Sequence, residues 1–550
     1  MTTLRGVTVD GVDVVIVPGP HAYEGRCPHQ GALLAEGELE DGALVCRNHR
    51  WRFDLETGQR IGGPQRLRAC PLSADGVPDV CALKAVPAPA RAVRQLSDLP
   101  GPPRWPLVGN ALQFRNEDMH AKMEEWAARY GPMYHAMMGP QHFLVVSDAA
   151  LSEVVLRARP EIFRRFARFE PIFQELGGAG VFVAEGSAWR AQRKLSMEAV
   201  AQRNVRTFYP TLAKMAERLR TRWERAAADG AVVDILDDFQ RFTVDVTTLL
   251  AFGHDVRSLE GSHDVIQRRM ERILPAINRR MNALLPYWRW VRMPEDRRVD
   301  ADVAALWAWL RELIAQRRAN PLDTPSNFLE AMITARDENG QPFAEETILG
   351  NAMTILVAGE DTTSGSLAWT AHHLCEEARV VATLREELDQ QLGADTVPTT
   401  MESAAGLTYL GAVASEAMRL RPVAPLQPHE AMVDTVVGDV AVPRGTAVWV
   451  LARPPVMDPQ NFSEPRVFRP ERWLEGFSEK HEVAKYLPFG TGPRICPGRS
   501  LALLEMRVAL ATLYKNFDVT RVGNAADVRE YFAITMAPRG LRVRLRPRPR

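Results

Sequence analysis

The stretch FGTGPRICPG, Phe489 to Gly498, decides how most of this chain is read. It fits the pattern F-x-x-G-x-R-x-C-x-G at every fixed place, a match that chance gives in roughly one chain of this length in ten thousand. Its chemistry centres on Cys496. Pro497 and Gly498 follow, and then an apolar run, SLALLEMRVALATLY, with helical spacing. The spacing predicts a cysteine just ahead of a helix N-terminus, where unpaired N–H groups and the helix dipole favour an anion, here a thiolate. A cysteine considered alone is more often a buried, inert thiol; the matched surroundings argue for a ligand.

Over about residues 98–546 the chain resembles the cytochrome P450 family, and FGTGPRICPG resembles its haem-binding loop. The resemblance implies haem b (iron protoporphyrin IX) with Cys496 as the ligand to iron. Gly492 and Gly498 would let backbone pass close to the ring, Phe489 opens the loop, and Arg494 would pair with a propionate. Trp189 and Arg193, at i and i+4 in WRAQRK, share a helix face and by resemblance contact a propionate. Glu416 and Arg419 in SEAMR, with Arg472 in FRPERW, resemble the family's structural Glu-Arg-Arg scaffold beneath the haem. Many members carry arginine where this chain has His429, in QPHEAMVD; a histidine there either donates one hydrogen bond to a propionate or is a partly exposed loop residue.

The segment AGEDTT, Ala358 to Thr363, lies midway along the longest helical run. Glycine inside a helix costs about 1 kcal/mol relative to alanine. The segment resembles the family's oxygen-activating groove, where the helix is locally opened. The resemblance makes Asp361 the proton-relay acid and Thr362 the hydroxyl that bonds dioxygen, with Glu360 as a solvent-side carboxylate. It sets Ala358, Ala424, Leu426 and Ile534 beside the substrate, under a lid formed by FEPIFQELGGAGVF. These mostly apolar residues imply a hydrophobic substrate. The implied reaction is monooxygenation: one atom of O2 enters the substrate, the other leaves as water, and two electrons arrive one at a time.

Near the other end, Cys27-x-His29 and Cys46-x-x-His49 stand 16 residues apart. Two pairs of one thiolate and one imidazole suit a two-iron cluster, and also suit zinc. CPHQGA, CRNHRWRFD and TGQRIGGP resemble the Rieske iron–sulfur family over about residues 10–80. That implies a [2Fe-2S] cluster clasped by two loops and covered by Gly63-Pro64. Its two imidazoles raise the potential to about −150 to +300 mV, against about −400 mV for an all-cysteine plant-type cluster. Arg50 stands where glycine is usual and would set a cation beside the cluster. No further cysteine joins the loops, so the ferredoxin type is implied; Cys70 and Cys81 read as small apolar residues.

The fold class expected is therefore multi-domain: a small all-β unit over residues 1–82, an Ala/Pro-rich linker over 83–97, and a mainly α domain with minor sheet over 98–550. The apolar alternation of the last residues predicts a strand with Leu541, Val543 and Leu545 on one face. Lys+Arg and Asp+Glu are both 68, which gives no charge-based reason to expect nucleic acid. No run approaches the ~20 apolar residues of a membrane span. The first 25 residues carry no secretory pattern, and six cysteines do not make a disulfide framework, so a cytoplasmic location is expected.

The linker, about 12–15 residues at ~3.1 Å each, would span roughly 40 Å when extended. The expected electron path runs from NAD(P)H through a separate flavin-dependent reductase to the cluster, then to the haem, since no G-x-G-x-x-G opens a βαβ unit. The rivals are a Rieske non-haem oxygenase, a haem-thiolate isomerase, dehydratase or peroxygenase, and a redox ligand sensor. The first needs closely spaced histidines with a carboxylate. His120, His135 and His142 lack that spacing, and adjacent His372 and His373 lie on different helix faces.

Overall fold

The computed structural model describes residues 4–9, 12–25, 27, 33–46, 50–62, 66–73, 75–80, 93–178, 180–261, 265–283, 285–320, 325, 327–337, 340–474 and 485–549. His29, His49, Gly63, Pro64, Cys81 and linker residues 83–92 lie outside them.

The N-terminal region is built from short strands. Arg5–Val9, Val12–Ile16 and Ala22–Glu24 form one antiparallel sheet, and Glu38–Glu40, Ala43–Val45 and Arg52–Asp54 a second. Asp41 and Gly42 join the first two strands of the second sheet with φ of 45° and 74°. That is the left-handed pair a two-residue hairpin turn requires, and an Asp-Gly dipeptide supplies it at least cost. Val15, Leu34, Leu44, Phe53 and Leu67 pack between the strands with Cys27 and Cys46.

Beyond residue 110 helices dominate, as their apolar spacing predicts. A five-stranded sheet flanks them, in the order Met133–Met138, Gln141–Val146, Ala447–Leu451, Leu426–Ala431, Phe163–Arg165. The terminal strand, Arg542–Pro547, buries Val543 and Leu545 while its arginines stay outside, as the alternation requires. The long run from Glu345 to Leu392 is not one helix. It divides into Glu345–Leu374 and Ala378–Leu392. The break comes where Glu377 leaves helical geometry (φ −111°, ψ 65°) and Glu376 turns out to meet Arg521 at 2.7 Å.

The central helix, Glu345–Leu374, runs unbroken through AGEDTT, contrary to the expected local opening. Gly359 serves packing instead. A Cβ there would lie 2.7 Å from Thr247 Oγ1, on the adjoining helix Ile235–Phe252. The cost of glycine is thus set against a close helix–helix approach.

Two buried histidines, His135 and His372, and the half-buried His373 give the fold an acid limit. Burial first, then nearby cations and histidines, pushes His135 and His372 down to about 4 and His373 to about 3. As pH drops below the ordinary value near 6.5, the unfolded chain takes up protons that the folded chain refuses. Stability is therefore expected to fall between about pH 6.5 and 4, by roughly 1–3 kcal/mol per histidine. A melting series from pH 7.5 to 4.5 checks this; a flat profile would contradict it.

Candidate metal centres

Cys496 ends a tight loop. Its amide donates to Phe489 O at 2.9 Å, Gly490 N to Leu487 O at 3.0 Å and Ile495 N to Gly492 O at 3.1 Å. Gly492 has φ 72°, and a Cβ there would lie 2.8 Å from Arg157 Cα, so no side chain fits. Gly498, by contrast, has an ordinary φ of −80° and caps the terminal helix Arg499–Asn516. Burial pushes the Cys496 thiol up. The amides of Gly498 and Arg499 and the cations of Arg193 and Arg499 pull the other way, which is the help a thiolate at a helix start needs.

The thiol is enclosed by protein and still accessible, so it faces an internal cleft. The central helix has a matching feature. Along its middle, Thr354, Ile355, Ala358, Asp361 and Thr362 keep some exposure at helical spacing, amid buried neighbours such as Met353, Leu356, Glu360 and Thr363. The central and terminal helices pack together. Accessible residues on a central helix, packed against the helix that follows an accessible thiol, fit a group ligated by Cys496.

Among these residues, Thr362 Oγ1 donates to Ala358 O at 3.1 Å, and Gln240 Nε2 donates to Asp361 Oδ1 at 3.2 Å. Glu360 is 3% exposed and points away from solvent, which corrects the solvent-side reading: position 360 falls on the helix face packed inward. Ala424 is half-buried and Leu426 buried. Ile534, at the tip of the hairpin Arg529–Ala533 and Thr535–Arg539, takes φ 79°, a left-handed position a β-branched residue rarely occupies. Met536 N of that hairpin donates to Val423 O at 2.8 Å, and a Cβ on Gly365 of the central helix would lie 3.4 Å from Met536 O and from Val423 Cγ1. The expected pocket segments thus meet one turn beyond Thr362. Of the lid, Phe169–Glu175 is a short helix with Phe169, Ile172 and Phe173 buried.

The polar end of the cleft differs in detail from expectation. Arg494 donates to Ala184 O at 2.8 Å, pairs with the Glu185 carboxylate, and stacks 4.6 Å from the buried Trp189 ring. It therefore already has an anionic partner. Trp189 and Arg193 lie on the helix Gly186–Ala199. His429 is no exposed loop residue: it sits on strand Leu426–Ala431, 1% exposed, with neither ring nitrogen hydrogen-bonded. Arg159, which the sequence reading passed over, is 4% exposed with Nε and one terminal nitrogen unpartnered. Unpaired buried donors at this end fit a carboxylate-bearing group. The overlooked signal was RARPEIFRRFARF, an apolar stretch carrying five arginines.

Beneath the thiol loop, Glu416 joins two arginines. Arg419 donates through Nε and a terminal nitrogen at 2.9 and 2.8 Å, Arg472 Nε at 3.0 Å, Trp473 Nε1 at 2.9 Å and the Arg469 amide at 3.0 Å. Tyr486, at the head of the loop, donates to Ser415 O at 3.0 Å and packs on Trp473.

In the N-terminal region Cys27 and Cys46 are buried in one apolar cluster. Each belongs to a loop tied at its base: Leu34 N to Gly25 O at 2.8 Å, and Cys46 N to Trp51 O at 2.8 Å. Two cysteines held side by side in tied loops fit a shared inorganic cluster. Arg50 takes φ 54°, which explains why glycine suits this place. Its cation is not left to the cluster: it pairs with Glu38 at 2.7 Å and with Glu40. Cys70 Sγ lies 3.3 Å from Asp79 O in a separate apolar cluster, as a packing residue would.

An accessible thiol in a helical domain and tied cysteine loops in a small β unit give a multi-domain protein with two candidate metal centres. Comparison with known families gives the class a name. The profile described as Cytochrome P450 matches residues 99–544, and the chain belongs to that family of oxygen-incorporating oxidoreductases. The profile described as Rieske [2Fe-2S] domain matches residues 2–78, ahead of it. Similar proteins include "Protein LUTEIN DEFICIENT 5, chloroplastic" of Arabidopsis thaliana, 28% identical, covering 78% of this chain and 74% of that protein. Another is the "Self-sufficient cytochrome P450 monooxygenase CYP505E3" of Phanerodontia chrysosporium, 28% identical, covering 82% and 43%. A third is the "Bifunctional cytochrome P450/NADPH--P450 reductase" of Gibberella moniliformis, 25% identical, covering 82% and 41%. The chain spans less than half the length of the last two.

Proposed function

We propose that this chain is a haem-thiolate monooxygenase whose electrons reach the haem from a Rieske [2Fe-2S] cluster in the same polypeptide. In this reading residues 1–82 hold the cluster through Cys27, His29, Cys46 and His49, residues 83–97 link, and residues 98–550 hold the haem. One contact carries the proposal. Glu24, three residues before Cys27, meets Arg157 at 3.2 Å. Arg157 ends the helix Ala149–Arg157, and its Cα is the atom that crowds Gly492 of the thiol loop. The small β unit thus touches the larger domain at Arg157, against Gly492 of the loop that carries Cys496, which supports a short electron path.

The haem, when bound, supplies the iron at which O2 is reduced and one oxygen atom inserted into a C–H bond. The balance is R–H + O2 + 2H⁺ + 2e⁻ giving R–OH + H2O. Cys496 would hold the iron as a thiolate, a donor that would favour O–O cleavage. Asp361, oriented by Gln240, holds the proton supply at its carboxylate. Thr362 Oγ1, which donates to Ala358 O at 3.1 Å, would hold a transferable hydroxyl proton one residue from that carboxylate. Glu416, Arg419 and Arg472 hold the loop in place. Ala358, Ala424, Leu426 and Ile534 face a hydrophobic substrate. In this reading an external NAD(P)H-dependent, flavin-containing reductase supplies the electrons to the cluster. A cytoplasmic site of action agrees with the described residues, among which no helix is long and apolar enough to cross a membrane.

Anaerobic stopped-flow of the full chain tests the transfer. With the cluster pre-reduced, haem reduction is expected to be first order and independent of protein concentration. Glu24→Lys, which sets two cations face to face, should slow it roughly three- to tenfold at low salt. A rate that rises with protein concentration would refute transfer within one molecule.

A further inference from the structure

The described residues leave one charge problem that the proposed function does not use. Three arginines and a histidine are gathered at the polar end of the cleft. The strand Phe163–Arg165 pairs with Leu426–Ala431 so that Arg165 lies opposite His429. Arg165 is engaged: its Nε donates to Phe182 O at 2.8 Å and its guanidinium lies 3.6 Å over the Phe182 ring. Arg494 is engaged with Ala184 O and Glu185. Glu185 is itself occupied, since its other oxygen accepts from the Arg165 amide at 3.1 Å. Arg159 and His429 are the two that remain, both nine-tenths buried or more, with N–H groups unsatisfied. A buried guanidinium without an anion is among the costlier things a fold can hold.

Position 429 is where many members of the family carry arginine. Burial and the surrounding arginines drive His429 well below its ordinary range, so it stays neutral and brings at most one hydrogen bond. The cation expected there is therefore missing from 429, and an unpaired one sits beside it at 159. We propose that Arg159 has taken over the charge role of position 429 and pairs with a haem propionate, His429 adding a neutral hydrogen bond. Arg159 is thus a cofactor-binding residue supplied from a different strand connection, just ahead of Phe163–Arg165. The proposal rests on the haem reading above.

Haem loss from the purified full-length chain to excess apomyoglobin tests it. Hydrogen bonds to charged groups are strong enough that Arg159→Gln is expected to lose haem about tenfold faster or more. Adding His429→Arg to Arg159→Gln should return the rate to within about threefold of the original chain, because the cation is restored from the other side. In the haem-free proteins the sign should differ: Arg159→Gln removes an unpaired buried charge, so its melting temperature should be unchanged or higher. Unaltered haem retention in Arg159→Gln would overturn the assignment. So would faster loss that His429→Arg does not repair, or a lowered melting temperature of the haem-free variant. A wild-type chain that takes up no haem would remove the underlying reading as well, and that failure appears before any variant is compared.

Discussion

Cys496→Ser is expected to leave the fold standing and remove the chemistry. The loop is held by groups the substitution does not touch: the amide of residue 496 to Phe489 O, the left-handed Gly490 and Gly492, and the cap at Gly498. Serine is close in size. What changes is the donor atom. The amides of Gly498 and Arg499 and the cations of Arg193 and Arg499 work against burial to favour a thiolate. A serine hydroxyl begins so much less acidic that the same groups cannot ionise it at neutral pH. Without thiolate donation the push toward O–O cleavage is lost. Circular dichroism should match the original chain, while the carbon monoxide difference band moves away from that of a thiolate-ligated haem. Reductase-driven product formation should fall at least about a thousandfold, roughly 4 kcal/mol of activation free energy. An unmoved band would mean that another side chain holds the iron.

Motifs were legible where one residue type answers one need. FGTGPRICPG could be read because a thiolate ahead of a helix, with glycine at 492, tolerates few substitutes. Gly492 indeed has both the positive φ and the crowding that exclude a side chain. The terminal strand was legible because alternation has a period of two and nothing else in the segment competes with it. The failures share a cause. Gly359 looked like a helix defect, and its reason lies with Thr247, about 110 residues earlier in the chain. Glu360 and Asp361 are neighbours in sequence and differ by 100° around the helix, so adjacency could not tell that Glu360 packs inward rather than toward solvent. Arg159 was signalled only by the density of arginines in RARPEIFRRFARF, and Glu185 by nothing local; their meaning comes from a strand pairing that brings residue 165 opposite residue 429. The break at Cys375 to Glu377 was hidden because helical spacing resumes after it without a glycine or proline to mark the turn.

Glu416→Gln should be the most destabilising single-atom-scale change in the haem domain. Glu416, Arg419 and Arg472 are 0%, 0% and 1% exposed, so no water can replace the lost carboxylate. Both arginines remain cationic, and they keep their bonds to backbone carbonyls: Arg419 to Val456 O and Pro465 O, Arg472 to Ser463 O. They would then face an amide whose NH2 group points a donor at other donors. Removing one partner of a buried ion pair costs about 3–5 kcal/mol, chiefly from the charge left behind. A fall in melting temperature of roughly 5 °C or more is expected, with the haem absorbance lost in the same transition, because Tyr486 and Trp473 tie this network to the thiol loop. The comparison that gives the number meaning is Glu471→Gln, one residue from Arg472. Glu471 pairs with Arg379, which is 62% exposed, and water can solvate what is left. That variant should lose no more than about 1 kcal/mol. If the two variants melted together, the scaffold would be worth no more than a surface ion pair, and the loop would have to be held by its own backbone bonds alone.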